Sequence, residues 1–363
     1  MTDTLLHAYL PLFLWTGLGL IAFRFLPDAL PRFLGRSLYW VGVPLEILAL
    51  ARQTDFSAQV SLAPLITIVT LLTALPLAWS ILQGMRSVWK DEGGRMKDEN
   101  GVQPTQATDQ SASSSALSSS PTPRPSFILQ SSPFQDPPWE TRSRRGSFLL
   151  SSIIGNTGFV GLAIAPAFVS SPYLSWIVFY GVTHNVVGTY GIGVFLASYY
   201  SRHLHNNRWW MQLRDVLTVP SLWAFAIGFL THSVPLPSIV ELGLRGSVWL
   251  VIPAALLLMG MRISQLQGWK SLRLAIVPAV LKVLVIPGLV GLVTTLFGLA
   301  GEARLAVVLM SGMPSAFAGL ILAEEYELDR ELIASSIVVS TGLLLLAIPL
   351  WLRLFGSFSQ LST

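Results

Sequence analysis

The chain has no cysteine, which excludes a disulfide framework, a thiolate metal site and a thiol nucleophile. Charge is scarce as well. Acidic and basic residues make up 12% of the 363 positions, against roughly a quarter in a soluble domain. A soluble fold of this length needs far more charge to cover its surface. The five histidines fall into no metal-ligand spacing. His203 and His205 flank Leu204 beside Arg202 and Arg208 and read as part of a basic loop. There is no Gly-rich phosphate loop with a lysine, no His-Glu-x-x-His and no Gly-x-Ser-x-Gly. No catalytic residue, cofactor or metal is therefore expected, and ATP-driven work by this chain alone is not expected either.

Apolar residues are abundant. They form 52% of the chain, and the mean hydropathy is +0.60. The composition predicts an all-α polytopic membrane protein. Apolar runs of about 17 to 25 residues give ten candidate spans. These cover 5–23, 35–52, 60–84, 147–169, 173–200, 215–232, 238–261, 272–298, 303–323 and 332–355. The start, Met1-Thr2-Asp3-Thr4, lacks a basic region and no small-residue cleavage site follows, so the first span reads as retained.

Basic residues set the orientation. Eighteen of them lie in the connections after the odd-numbered spans, from Arg24 to Arg330. Four (Arg52, Arg245, Arg304 and Arg353) lie on the other side, and Lys282 is left inside the eighth span. This partition predicts both termini outside the cytoplasm of a plasma membrane. The net charge of +4 and pI near 9.5 formally suit nucleic acid, but the basic residues are spread over membrane loops, so no nucleic-acid partner is expected.

Residues 1–89 carry spans one to three, 90–145 a polar loop, 146–200 spans four and five, and 201–363 the remaining five. The loop includes Ser111-Ala112-Ser113-Ser114-Ser115 and is poor in large apolar residues, so disorder is expected. Its Ser/Thr density and Arg142-Ser143-Arg144-Arg145 suit either a switch or a tolerated insertion. Without the loop, two halves of five spans remain. Five is odd, so the halves run through the bilayer with opposite topology, as a 5+5 inverted repeat.

Span four is interrupted by Ile154-Gly155-Asn156-Thr157-Gly158-Phe159-Val160-Gly161, and span nine by Ser311-Gly312-Met313-Pro314-Ser315-Ala316. Polar groups and broken backbone survive at membrane depth only when buried in protein or lining a cavity. Interrupted helices in corresponding places of two halves point to a transporter's binding site. Gly155 allows close backbone approach, while Asn156 and Thr157 offer amide and hydroxyl contacts. Freed N–H groups at a half-helix start suit a carboxylate. Pro314 removes a backbone donor, and Ser315 can satisfy freed groups or touch substrate.

In span five, Asn185 and Tyr190 stand 140° apart on an ordinary helix and share no stripe, although a broad cavity wall holds both. His184 suits an interhelical hydrogen bond or a proton relay. Glu46 and Lys282 are the ionisable residues deep in spans two and eight. Each is a candidate for a charge role, structural or substrate-facing, and the two can also pair.

Gly155-Asn156-Thr157-Gly158-Phe159-Val160-Gly161-Leu162 resembles the signature of the auxin efflux carrier family of permeases, which includes the plant PIN transporters. Further similar stretches are Gly42-Val43-Pro44, Leu257-Leu258-Met259-Gly260-Met261, Lys282 with Pro287, Met313-Pro314, Ala323-Glu324-Glu325-Tyr326 and Ser335 to Thr341. The family is similar in fold to bile-acid sodium symporters. The resemblance implies a scaffold of helices one, two, six and seven, and a transport domain of three to five and eight to ten. Substrate would bind where helices four and nine cross, and the transport domain would move as an elevator. Gly155 stands where PIN proteins have a proline, and Ala163 where bacterial members have one, with Pro166 displaced. Asn185 and Tyr190 fall where the PIN site has an amide residue and a tyrosine.

The expectation is a secondary carrier of a small organic anion, auxin-like or another carboxylate. Its other expected partners are the lipid bilayer and a second copy of the chain as a homodimer. Two alternatives stay open: a sodium-coupled importer of bile-acid type, and a membrane sensor using the carrier fold with the loop as output.

Overall fold

The computed structural model describes residues 2–27, 29–53, 62–99, 139–201, 209–265 and 270–356. Regular structure among the described residues is helical throughout, apart from one isolated antiparallel bridge between Gly155 and Ser315. The helices are α1 (Thr2–Ala22), α2 (Leu30–Arg52), α3 (Leu62–Glu99), α4 (Arg142–Ile153), α5 (Thr157–Phe168), α6 (174–200) and α7 (Trp209–Leu217). They continue with α8 (Pro220–Leu230), α9 (Ser238–Ile263), α10 (Ser271–Leu296), α11 (Gly301–Ser311), α12 (Phe317–Glu325) and α13 (Arg330–Phe355).

Five of these segments are long and apolar enough to cross a membrane: α2, Leu62–Val88 of α3, α9, α10 and α13. Their surfaces agree with that. Trp249 is 82% exposed, Leu296 85% and Leu346 75%. A soluble protein does not leave such large apolar groups in water over so much of its surface, whereas lipid covers them. The protein is a multi-pass membrane protein. Hydroxyls inside the apolar helices bond back to their own backbone: Thr67 donates to the Ala63 carbonyl at 2.7 Å and Ser336 to the Leu332 carbonyl at 2.7 Å. These two hydroxyls are thereby satisfied without water.

The helices pack in two groups. In the first, α1 lies along α9, and α2 packs against α8 and α9. Gly19 and Gly260 let α1 and α9 touch backbone to backbone. A Cβ on either would run into a carbonyl of the facing helix, Leu257 or Thr16. In the second group α3, α4, α6, α10, α11, α12 and α13 pack on one another. The groups meet where α5 touches α1 and α9, and where α6 touches α2 and α8.

The polar loop is narrower than its composition suggests. Helix α3 runs to Glu99, and the described residues begin again at Trp139, which is buried with its ring 5.2 Å from that of Phe148. The Thr141 hydroxyl caps α4 by accepting from Arg144 N–H, and Arg144 Nε lies 2.9 Å from Asp329 Oδ2. Residues 100–138, and the stretch with His203 and His205, lie outside the described residues.

Candidate functional site

Two helical paths stop and restart at the same place. One breaks between α4 and α5, the other between α11 and α12. The intervening residues 154–156 and 314–316 lie side by side and antiparallel. Asn156 N–H donates to the Pro314 carbonyl at 2.7 Å, and Ala316 N–H donates to the Ile154 carbonyl at 2.9 Å. Proline cannot donate, but its carbonyl is free to accept, which is the use made of Pro314. Two extended segments of three residues thus satisfy each other in place of the helical bonds they forgo.

Four helix ends converge here. At the start of α5, the Asn156 side-chain oxygen accepts from Phe159 N–H at 3.3 Å and Val160 N–H at 3.4 Å, the work of an N-cap. At the start of α12, Ala316 provides no side-chain cap. At the end of α11, Lys282 Nζ donates to the Ser311 carbonyl at 2.6 Å, where a donor meets the negative end of the helix dipole. At the end of α4, the Ser315 hydroxyl donates to the Ser151 carbonyl at 2.8 Å, and Ser340 Oγ accepts from Ser315 N–H at 3.0 Å. Asn156, Thr157, Ser311, Ser315 and Lys282 are all buried.

Space explains the glycines. A Cβ on Gly155 would stand 2.6 Å from Lys282 Cε and 2.8 Å from its Nζ, so the glycine makes room for the lysine. On Gly158 it would stand 2.8 Å from Asn185 Nδ2 and 3.8 Å from Glu46 Oε1. The second glycine therefore brings an amide and a carboxyl against the start of α5. His184 Nε2 accepts from Gly155 N–H at 3.4 Å, and its ring stacks 6.1 Å from that of Tyr180.

Asn185 and Tyr190 do not have the separation of an ordinary helix. His184–Gly193 is a π-helix, in which residues five apart follow one another up the same face. The two side chains therefore share a stripe, and their assignment to different stripes is corrected. The Tyr190 ring meets that of Tyr39 on α2 edge-on at 5.8 Å. Glu46 and Lys282 form no ion pair. Lys282 is committed to Ser311, while both carboxyl oxygens of Glu46 are buried with no hydrogen-bond partner among the described residues. The hydroxyl of Thr157 is also buried without a hydrogen-bond partner among the described residues.

Serine positions one turn away escaped the sequence reading. Ser151 offers its carbonyl to Ser315, and its only signal is a serine pair in an apolar run just ahead of the break. Arg262 and Glu324 were also missed as a pair. Arg262 Nη1 lies 2.7 Å from Glu324 Oε1 and Nη2 lies 2.9 Å from Oε2, joining the end of α9 to the end of α12.

A family profile described as membrane transport protein matches residues 140–352, more than half the chain and the whole of the crossover. The chain belongs to this family. It is a permease of the auxin efflux carrier type, as the Gly-Asn-Thr-Gly stretch implied. An uncharacterized transporter of Methanocaldococcus jannaschii is 26% identical over 213 residues, which is 57% of this chain and 67% of the relative. One of Methanothermobacter thermautotrophicus is 25% identical over 205 residues, 54% of this chain and 63% of the relative. The family's matched region spans both broken helices, the lysine-bearing α10 and the π-helical part of α6.

Proposed function

We infer that this permease is a secondary carrier for a small organic anion, recognised through a carboxylate at the crossover of the two broken helices. One observation carries the inference: the antiparallel pairing of 154–156 with 314–316, which sets the starts of α5 and α12 together at one buried point. Helix starts present N–H groups and positive dipole ends. Asn156 caps the start of α5 with its oxygen, an arrangement that leaves the amide nitrogen as a donor to substrate. The start of α12 has no side-chain cap. Thr157, Asn185, Tyr190 and Ser315 surround this point in the proposed site.

The proposed architecture is ten crossings in a 5+5 inverted repeat, with α4–α5 and α11–α12 as the fourth crossing of each half. Both termini would lie outside the cytoplasm of a plasma membrane, and the carrier would move substrate outward. The division into two packed groups supports an elevator: α1, α2, α8 and α9 stay as the scaffold, and the crossover group slides past them. The test is flux. Purified protein in sealed vesicles should move radiolabelled carboxylates, indole acetate among them, with saturation. Binding without flux would overturn the carrier reading in favour of a sensor. Flux that collapses without a sodium gradient would overturn it in favour of a sodium-coupled importer.

A further inference from the structure

The Glu46 carboxyl is a buried charged-type group that reaches the start of α5. It sits on α2, in the first packing group, 1% exposed, and both of its oxygens lack a partner among the described residues. It forms no ion pair with Lys282, whose ammonium donates to the Ser311 carbonyl. Instead it stands over Gly158, where a Cβ would be 3.8 Å from its Oε1 and 2.8 Å from Asn185 Nδ2. A carboxyl buried without a partner is costly and persists where it is used.

We propose that Glu46 is a subsite for a primary ammonium, so that the carboxylate moved by this carrier belongs to an amino acid. This rests on the carboxylate site proposed above and adds the second half of the ligand. A primary ammonium brings three N–H donors. Two find the oxygens of Glu46, and the third finds the amide oxygen of Asn185 or the unpartnered hydroxyl of Thr157. A bare divalent cation asks for about six or more oxygens, and Glu46 with one amide and one hydroxyl supplies fewer. Gly158, against which Glu46 stands, is three residues along the chain from Gly155 of the bridge, so one small ligand reaches from the carboxylate end to the ammonium end. Glu46 and the crossover belong to different packing groups. The ammonium contact therefore spans the surface along which the proposed movement occurs.

The experiment uses matched ligands on the full-length purified protein, read by thermal shift and by uptake into vesicles. Leucine and γ-aminobutyrate are compared with isocaproate and butyrate, which lack the ammonium, and with isoamylamine and propylamine, which lack the carboxylate. At least one amino acid should bind about ten- to hundredfold tighter than its deaminated partner, the range given by hydrogen bonds to a charged group. In Glu46→Gln that preference should vanish, while the empty protein melts no lower than the parent because the removed charge had no partner. Equal binding of amino acids and deaminated acids by the parent would overturn the ammonium subsite and leave the carboxylate site standing. Binding of neither would overturn both. Binding of the amines alone would overturn the carboxylate site and with it this inference. A lower melting temperature for empty Glu46→Gln, with the amino-acid preference intact, would make Glu46 structural and overturn the proposal.

Discussion

Lys282 Nζ lies 2.6 Å from the carbonyl of Ser311, the last residue of α11, and the two are buried together beside Gly155. Lysine therefore closes one end of a broken helix from a neighbouring one. Lys282→Met keeps the length of the side chain and removes the donor, which leaves a buried carbonyl unpaired at a cost of about 1–3 kcal/mol. The melting temperature in detergent should fall. Lys282→Arg should not restore it, because the guanidinium is broader and Gly155 leaves little room. A melting temperature unchanged in Lys282→Met would refute the structural role.

The same contact makes a prediction about Gly155. An added methyl would crowd Lys282 Cε at 2.6 Å and the Met313 carbonyl at 3.2 Å. Gly155→Ala should thus cost about 1–3 kcal/mol, the usual cost of overpacking, by pushing the lysine off Ser311. Because both substitutions break one bond, the double variant Gly155→Ala/Lys282→Met should be little worse than either alone. Additive losses in thermal melts would show that the glycine serves some other purpose.

The breaks at Gly155-Asn156-Thr157-Gly158 and at Pro314 were legible because polar and helix-breaking residues interrupt apolar runs. That signal is local. Their pairing is not, since residues 154 and 316 meet only through the packing of the whole second group. The partner of Lys282 was hidden for the same reason: a lysine in an apolar run shows that a partner is needed and not which carbonyl supplies it. Asn185 and Tyr190 were placed wrongly relative to each other because a π-helix leaves no mark in apolar periodicity. The place of Trp139 was hidden as well: it lies in a stretch whose composition reads as loop, and its partner Phe148 is met only on folding.

The contact of Trp139 with Phe148 bounds what can be removed from the loop. Deleting residues 100–138 and joining the ends with a short Gly-Ser linker should leave a folded, monodisperse protein, because a Ser/Thr-rich segment with few large apolar residues has little to bury against a core. Extending the deletion through Trp139 should cost about 3–5 kcal/mol, the range for truncating a buried tryptophan. Size-exclusion profiles and melts of the two variants decide this, and equal behaviour would remove Trp139 from the account.

Arg262 and Glu324 form a two-pronged ion pair between the packing groups, with their side chains 10% and 22% exposed. Such pairs combine charge with fixed geometry. If the crossover group slides past the scaffold, this pair opens in each cycle. Arg262→Ala should alter turnover severalfold while shifting substrate affinity little, and Glu324→Ala should do the same. The double variant should match the singles, giving a coupling of about 1 kcal/mol or more, at the upper end of what partly exposed pairs show. Unchanged flux in both singles would detach the pair from the transport cycle.

Asn156 joins both aspects of the crossover, and two substitutions separate them. Its oxygen caps α5 at Phe159 and Val160, so Asn156→Ala should lose about 0.5–2 kcal/mol of stability. Asn156→Asp keeps an acceptor at the same place and should preserve the cap, or improve it, since a negative charge suits a helix start. The aspartate has no amide donor and repels a carboxylate. It should therefore hold the melting temperature near that of the parent while weakening carboxylate binding about tenfold or more, the loss of one hydrogen bond to a charged group. Affinity should then fall in both variants, whereas stability falls only in Asn156→Ala. Asn156→Asp with parental affinity and flux, at matched protein incorporation, would confine Asn156 to capping and move the substrate elsewhere.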